Sequence, residues 1–136
     1  MSDKLFKLEI ATPQRVAFSD DVVSFTAPGT IGSFQVLYNH APLLSSIVIG
    51  QVKFVSKAGQ LQHYATSGGF VEVRENTVTL IAETAERSDE VDVARAEAAR
   101  DRALKRLAEK KAETDIARAR AALARALNRL SIASHS

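Results

Sequence analysis

The sequence has no cysteine, no glycine after residue 69 and no proline after residue 42. Without cysteine, neither a disulfide framework nor a thiolate metal site can form. No segment approaches the ~20 consecutive apolar residues that span a bilayer, and no apolar run follows a basic start. We therefore expect no signal peptide and no direct membrane insertion, so that any association with a membrane would run through a partner protein.

The residue patterns of common active sites are also missing. The sequence contains neither the Gly-x-x-x-x-Gly-Lys of a P-loop nor the Gly-x-Gly-x-x-Gly of a dinucleotide-binding turn. His40, His63 and His135 are scattered without metal-ligand spacing. Ser67 lacks the Gly-x-Ser-x-Gly frame of a nucleophile elbow. We expect no catalytic residue, no metal site and no required cofactor, and hence a role other than catalysis.

The net charge of +2 hides an uneven distribution along the chain. Residues 1–86 carry six Lys/Arg against eight Asp/Glu, whereas residues 87–136 carry twelve against eight. Four arginines and no acidic residue follow Asp115. A basic C-terminal part suits an acidic protein face, a nucleotide or a nucleic acid, and charge alone does not choose among them.

The hydrophobic period of the chain changes near residue 86. Up to that point, short β-branched and aromatic segments alternate with polar residues between turns, which is typical of an antiparallel sandwich or barrel. The remainder is rich in Ala, Arg, Glu, Leu and Lys, which favour helix. We predict an α+β protein, with an antiparallel β-sandwich over residues 1–86 and an antiparallel two-helix hairpin over residues 87–136. The predicted strands include Leu5–Ile10, Val22–Thr26, Gln51–Val55, Phe70–Val73 and Val78–Ala82.

Capping residues and apolar stripes define the two predicted helices. Ser88 or Asp89 is expected to cap the first helix, and Thr114 or Asp115 the second. The apolar face of the first helix is mainly alanine, which buries little area. Burial of apolar surface stabilises by about 25 cal/mol per Å², so these alanines contribute little. We therefore expect the hairpin to be weakly held against the sandwich. The two stripes are Ala96, Ala99, Ala103 and Leu107, and Ile116, Ala119, Leu123, Ala126, Leu127 and Leu130.

Several strings in a fixed order carry a resemblance to a known family. Ala11–Pro13 ends the first strand, and Val36–Leu43 follows a glycine turn. Ser67–Val73 precedes the last long strand, Ala85–Arg87 leads to the helices, and Leu127–Leu130 lies near the end of the hairpin. In this order and spacing, over essentially the whole chain, the sequence resembles the epsilon subunit of the F-type ATP synthase.

The resemblance implies a non-catalytic rotor subunit of the central stalk. Its sandwich would bind the gamma subunit and touch the polar loops of the proton-carrying c-ring. Its hairpin would be mobile: folded, it would lie against the sandwich, and extended, it would run along gamma toward the alpha and beta subunits and inhibit ATP hydrolysis. The implied location is the cytoplasmic face of the bacterial cell membrane, reached through the ATP synthase complex.

The resemblance also implies ATP as a regulatory ligand. Some family members carry Ile/Leu-Asp-x-x-Arg-Ala at the first helix, and residues 91–96 match with Val in the first place. Arg95 and Arg102 are seven residues apart, and Arg125 and Arg129 are four apart on the face opposite the second apolar stripe. Guanidinium groups converging from two helices suit a triphosphate, and Asp92 would accept from the adenine amino group. The predicted ATP-binding residues are Glu86, Val91, Asp92, Arg95, Ala96, Arg102, Arg125 and Arg129.

The family pattern also assigns contacts to other subunits. Ser33 stands where family members usually present an acid in the turn before the Val36–Leu43 string. We predict that Ser33 and His40 face the ring, while another face of the sandwich binds gamma. In the extended hairpin, acidic segments of beta would meet Arg118, Arg125 and Arg129.

Three alternatives stay open at the level of the sequence. One is an adaptor of the same architecture in another rotary or stalk complex. The second is a nucleic-acid-binding module built on the basic helices, although residues 87–136 offer no aromatic platform for bases. The third is an enzyme with an unrecognised site, against which stands the lack of a convergent acid–base pair. We favour the regulatory subunit and expect no nucleic-acid partner.

Overall fold

The computed structural model describes residues 4–109 and 112–134. The predicted domains 1–86 and 87–136 include residues 1–3, 110–111 and 135–136, which lie outside the described residues, as does His135. Within the described ranges, nine strands precede two helices. This architecture confirms the predicted β-sandwich followed by a two-helix hairpin.

The strands are β1 (Phe6–Ala11), β2 (Val16–Pro28), β3 (Ser33–Val36), β4 (Leu43–Ile47), β5 (Gly50–Ser56), β6 (Leu61–Thr66), β7 (Gly69–Arg74), β8 (Thr77–Ala82) and β9 (Ala85–Arg87). They follow the hydrogen-bonded path β4-β7-β8-β1-β2-β5-β6-β9, and β3 also pairs with β2. The long strand β2 pairs with β1 through its first part and with β5 and β3 through its second part. β2 therefore joins the two halves of the sandwich.

One strand pair departs from the antiparallel expectation. β1 and β8 run parallel, with Lys7 opposite Thr77 and Ala11 opposite Ile81. Parallel neighbours need a long connection between them, and here the intervening strands β2–β7 supply it. The alternating pattern of each strand predicts which face is buried but carries no information about the direction of a partner 70 residues away.

The continuous apolar core is built from sandwich side chains. Leu8 and Ile10 of β1 and Leu80 of β8 are fully buried, while the residues between them point outward, as the period of two requires. Three rings pack together in this core: the centroids of Phe18 and Phe54 lie 4.4 Å apart, and those of Phe54 and Tyr64 lie 5.7 Å apart. Among the described residues, no helical side chain belongs to this cluster.

A single 3₁₀ turn, Ser88–Glu90, connects β9 to the helices α1 (Val93–Ala108) and α2 (Glu113–Ala133). The prediction that Ser88 or Asp89 caps α1 is wrong, because Val91 and Asp92 keep extended conformations. Asp92 is the cap instead, and its carboxylate accepts a hydrogen bond from the Arg95 amide at 3.0 Å. The prediction of a Thr114 or Asp115 cap is also wrong, because both lie inside the first turn of α2, which follows Ala112 without a side-chain cap.

The helices meet along alanines. The buried alanines are seven residues apart in each helix: Ala96 and Ala103 in α1, Ala119 and Ala126 in α2. Two residues differ from the predicted stripe: Leu127 is 49% exposed, and Ile132, which the stripe omitted, is fully buried. The reason is that α2 has two covered faces, one toward α1 and one toward β5 and β6. A stripe read from a single face cannot include both.

Candidate functional site

Three of the four arginines in each helix of the hairpin are spaced by seven and then by four residues. At 3.6 residues per turn, each set stays on one face of its helix. Near the turn of the hairpin, Arg106 of α1 and Arg118 of α2 line the same cavity of about 290 Å³, so the two sets lie on the same side. We call this feature the arginine groove. It consists of Arg95, Arg102 and Arg106 on α1 and Arg118, Arg125 and Arg129 on α2.

The arginine groove contains all five arginines that the sequence predicted for ATP or beta, and adds Arg106. Arg106 went unnoticed because no motif covers it, although its spacing of four from Arg102 was a usable signal. Two acidic residues, Glu109 and Asp115, share the cavity at the turn end. The charge of the groove is therefore partly offset near the turn.

At the sandwich end, an ion pair joins the hairpin to β9. Arg129 Nε donates to Glu86 Oε1 at 2.6 Å, and both side chains are about 31% exposed. A charge-assisted hydrogen bond of this length in a partly buried position is stronger than an exposed surface pair. The two residues are 43 positions apart in the chain. Two of the predicted ATP-binding residues, Glu86 and Arg129, are thus paired with each other.

The space beside this ion pair is nearly closed. A cleft of only about 10 Å³ lies between the arginine face of α2 and the sandwich. Pockets that bury a drug-sized ligand are on the order of 300–1,000 Å³. A triphosphate at this end would therefore have to displace the Arg129–Glu86 contact or widen the cleft. The lining residues are Ala65, Thr66, Ser67, Thr84, Arg125, Asn128 and Arg129.

Asn128 forms a second polar contact that the sequence analysis did not single out. Its side-chain amide donates to the Gly50 carbonyl at 2.8 Å, with the Thr66 carbonyl at 3.5 Å. An asparagine in the interior of a helix has poor intrinsic helix propensity. That misfit was the available signal, since it suggests a tertiary hydrogen bond. Asn128 ties α2 to the strand pair β5–β6 directly.

The predicted residues of the first helix serve several local roles. The Asp92 carboxylate caps α1, and Val91 is a half-buried residue of the connection. Ala96 is buried in the seam between the helices, so its side chain faces α2. Arg95 and Arg102 are exposed on the arginine groove. The structure brings Glu86 and Arg129 into contact, and Arg125 lines the same narrow cleft as Arg129. Arg95 and Arg102 lie on the arginine face of α1, without a contact to these residues among those the structure shows.

The junction between the sandwich and α1 is held by Arg15 from the β1–β2 turn. Its Nη1 and Nη2 donate to the two carboxylate oxygens of Glu90, each at 3.2 Å, and Nη2 also donates to the Ala85 carbonyl at 3.0 Å. Partial burial alone would raise the pKa of Glu90. The hydrogen bonds from Arg15 and the Arg87 amide outweigh that effect, so the pKa of Glu90 lies below its ordinary value of 4.5.

Ser33 and His40 do not share one end of the sandwich. Ser33 is exposed at the start of β3, opposite Pro28 and beside the turn where Thr30 binds Ser46. His40 follows the other end of β3, and its Nδ1 donates to the Ala41 carbonyl at 2.7 Å. The adjacent Asn39 amide donates to Asn76 in the β7–β8 turn, at the far end of these strands. A six-residue strand such as β7 spans roughly 17 Å, and we expect Ser33 and His40 to be separated by a distance of this order.

A broad apolar depression lies at one end of the sandwich. It has a volume of about 910 Å³ and is lined by the end of β1 and by segments 46–49, 67–70 and 81–83. Phe70 and Ile81 pair across β7 and β8 and are 60% and 58% exposed. Apolar patches of this kind mark protein–protein contacts. We call this surface the apolar patch.

No group of three or more His, Cys, Asp or Glu side chains could hold a metal ion in the part of the chain that the structure covers. Within the same ranges, neither helix combines the length and hydropathy needed to cross a membrane.

Comparison with protein families covers nearly the whole chain. Residues 5–88 match the β-sandwich domain of the ATP synthase delta/epsilon chain, and residues 89–134 match the long alpha-helix domain of the same chain. An ATP synthase epsilon chain from Pelotomaculum thermopropionicum is 54% identical over 107 residues, which is 79% of each chain. One from Geobacter sulfurreducens is 45% identical over 103 residues, covering 76% of this chain and 73% of the relative.

Solved structures show the same fold at low sequence identity. A chain of the Euglena gracilis mitochondrial ATP synthase, in a structure of OSCP, F1 and c-ring, superposes with a TM-score of 0.82 at 20% identity. The match covers 99% of this chain and 84% of that one. A chain from the central stalk and c-ring of the Tetrahymena thermophila mitochondrial enzyme gives a TM-score of 0.54 at 18% identity, over 62% of this chain and 68% of that one.

Proposed function

This chain belongs to the ATP synthase delta/epsilon family, as an epsilon chain, and we propose that it regulates the complex through a detachable C-terminal hairpin. Membership makes it a subunit that acts with the other subunits of the ATP synthase in ATP synthesis and ion transport. Its own role is non-catalytic. It sits in the central stalk, peripheral to the cytoplasmic face of the bacterial cell membrane.

The observation that carries the proposal is the separateness of the hairpin. In the part of the chain that the structure describes, the apolar core contains only strand residues and the helices meet along alanines, so the hairpin does not complete the sandwich. Polar contacts of Asn128 and Arg129 and the burial of Ile132 hold α2 down. Few apolar contacts and a small polar junction are typical of an element that detaches below the global unfolding free energy.

ATP is the ligand we propose for the folded hairpin. The arginine groove offers guanidinium groups from both helices, and Glu86 stands at its sandwich end. A ligand that binds only the folded form stabilises it by RT ln(1 + [L]/Kd), about 2.7 kcal/mol at a hundredfold excess over Kd. That amount shifts the folded–extended equilibrium roughly a hundredfold. High ATP would hold the hairpin down and relieve inhibition.

The extended hairpin would reuse the same arginines. Arg118, Arg125 and Arg129 would meet acidic segments of beta, and the apolar stripes would meet gamma. Because Arg125 and Arg129 cannot bind phosphates and beta at the same time, the two states compete for one set of charges. This competition makes the hairpin a switch between ATP-bound and inhibitory positions.

Calorimetry with ATP on the isolated chain tests the ligand. Arg95→Ala removes a charge-assisted contact worth about 1.5–3 kcal/mol, so the affinity should fall roughly ten- to a hundredfold. Arg120→Ala is the matched control, because Arg120 is an exposed arginine of α2 outside the arginine groove. Equal losses in both variants would reduce the effect to net charge. No heat from the wild type at millimolar ATP would remove ATP from the mechanism.

Asp92 needs a variant that keeps its structural role. Asp92→Ala would lose the cap of α1 as well as any contact to adenine, whereas Asp92→Ser keeps a capping oxygen. We expect Asp92→Ser to weaken ATP binding while sparing bare triphosphate. If both ligands bind the variant as tightly as the wild type, Asp92 does not contact the base.

We assign the apolar patch to the gamma subunit. Phe70→Glu places a charge in the centre of the patch and should abolish co-purification with gamma. Leu61→Glu is the control, because Leu61 is a 56% exposed apolar residue of β6 outside the patch. Loss of gamma binding with Leu61→Glu alone would move the interface to that part of the sandwich.

Ring docking is tested by single cysteines, which are unique in this cysteine-free chain. We propose that Ser33→Cys and His40→Cys both cross-link to cysteines in the polar loop of the ring. Because the two sites lie at opposite ends of β3, each tests the orientation on its own. Cross-linking at Ser33 alone would assign only the 29–33 turn to the ring. Failure of both would overturn the proposal that either end of β3 faces the ring.

A further inference from the structure

The segment from β9 to the start of α1, residues 85–92, must contain the hinge on which the hairpin moves. Its first part is bonded to the sandwich: Ala85–Arg87 pairs with β6, and Ser88–Glu90 forms the 3₁₀ turn. Its last part, Val91 and Asp92, is extended and leads directly into α1. The boundary between the two parts falls at Glu90.

Arg15 makes that boundary firm. Its guanidinium forms a two-pronged contact with the Glu90 carboxylate, and the second prong also reaches the Ala85 carbonyl. Arg15 is itself held, because its amide donates to the Thr12 hydroxyl at 3.2 Å and its carbonyl accepts from the Thr12 amide at 2.9 Å. The contacts therefore connect the β1–β2 turn to a segment that lies 70 to 75 residues later in the chain.

Glu90 is bonded from a second direction as well. Its Oε1 accepts from the Arg87 amide at 2.8 Å, which closes the 3₁₀ turn onto the end of β9. One carboxylate thus receives donors from the β1–β2 turn and from the segment it ends. A two-pronged guanidinium–carboxylate contact fixes orientation as well as distance.

We infer that Arg15 and Glu90 form a clasp that keeps residues 85–90 part of the sandwich and confines the hinge of the hairpin to Val91 and Asp92. This inference rests on the hairpin motion proposed above. It makes Arg15 a positioning residue for the candidate nucleotide site. Glu86 stays on the stationary side of the hinge, while Asp92, Arg95 and the rest of the arginine groove move with the hairpin.

The division explains how a ligand could bias the switch. A nucleotide held by Glu86 and by the arginine groove would bridge the stationary and the moving parts. Without the clasp, β9 is a three-residue edge strand, and it would leave β6 together with the hairpin. Glu86 would then move with the arginines, and the ligand would no longer join two separate bodies.

Hydrogen exchange of the full chain tests the clasp without any ligand. In Arg15→Gln, amides of residues 85–90 should exchange roughly tenfold faster than in the wild type, with little change in β1 or β8. Glu90→Gln should act in the same direction, which keeps the test valid if one variant folds poorly. Arg74→Gln, an exposed arginine on β7, is the control. Exchange within twofold of the wild type in both clasp variants would overturn the inference.

Spin-label distances locate the hinge. One label at Glu75, in the β7–β8 turn, is paired with a second at Asp89 or at Glu97. Removal of ATP should broaden the 75–97 distance and leave the 75–89 distance unchanged; in Arg15→Gln both should broaden. Broadening of 75–89 in the wild type would place the hinge before Asp89 and overturn the clasp. If neither distance responds, the hairpin motion itself fails, and hydrogen exchange still decides the clasp.

Discussion

Asn128 offers the sharpest test of how the hairpin is held. Asn128→Ala removes the 2.8 Å hydrogen bond to the Gly50 carbonyl and the weaker one to Thr66. A neutral hydrogen bond contributes about 0.5–1.5 kcal/mol net. The Thr66 hydroxyl still donates to the Gly50 carbonyl at 3.3 Å, which limits the penalty. We expect about 1 kcal/mol, so that opening of the hairpin becomes roughly fivefold more frequent.

Thiol protection measures this opening. Ala65 is 4% exposed but does not belong to the apolar core, and it lines the cleft beneath α2. A cysteine at position 65 should therefore react only when the hairpin lifts. Its modification rate, referred to that of a fully exposed thiol, gives the opening equilibrium. Asn128→Ala in this background should raise the rate about fivefold, and Arg120→Ala should leave it unchanged.

An isosteric variant separates hydrogen bonding from packing. Asn128→Leu retains the volume of the side chain but has no donor for either carbonyl. If the hydrogen bonds hold the hairpin, Asn128→Leu opens at least as often as Asn128→Ala. If filled volume holds it, Asn128→Leu behaves like the wild type, and the inference that the Asn128 hydrogen bonds hold the hairpin is refuted.

Three further results are expected. A chain ending at Glu90 should unfold cooperatively, because the apolar core lies entirely before that residue; absence of a thermal transition would contradict the separate core. The stabilisation that Glu90 gains from Arg15 and Arg87, beside Tyr64, is present above about pH 4.5 and lost as the pH falls through its lowered pKa. The difference in Tm between wild type and Arg15→Gln should therefore shrink in acid to what the hydrogen bond from Arg15 to the Ala85 carbonyl contributes. Gly69→Ala should destabilise the sandwich by about 3 kcal/mol or more, since its Cβ would collide with the Ile81 carbonyl oxygen, whereas Gly59→Ala, in open space, should cost about 1 kcal/mol in urea unfolding.

Local patterns in the chain were sufficient to predict the two-part architecture. The alternation of residues such as Leu8 and Ile10 reports which face of a strand is apolar, and that face is buried in any sandwich. The disappearance of glycine and proline after residue 69 marks where helix becomes favourable. The spacings of seven and four likewise place Arg95 and Arg102 on one helix face whatever the helix packs against.

Contacts between distant segments were decided only by the tertiary structure. The partner of Arg129 is 43 residues away, that of Arg15 is 75 away, and Asn128 bonds a carbonyl 78 away. No periodicity encodes such pairs, because they depend on strand register and on the rotation of α2 about its axis relative to the sandwich. The same rotational position of α2 buries Ile132 and exposes Leu127. The sequence determined the secondary-structure elements and their apolar faces. The packing of α2 on the sandwich determined that Asn128 and Arg129 hold the hairpin, since each such contact needs two chain segments at hydrogen-bond distance.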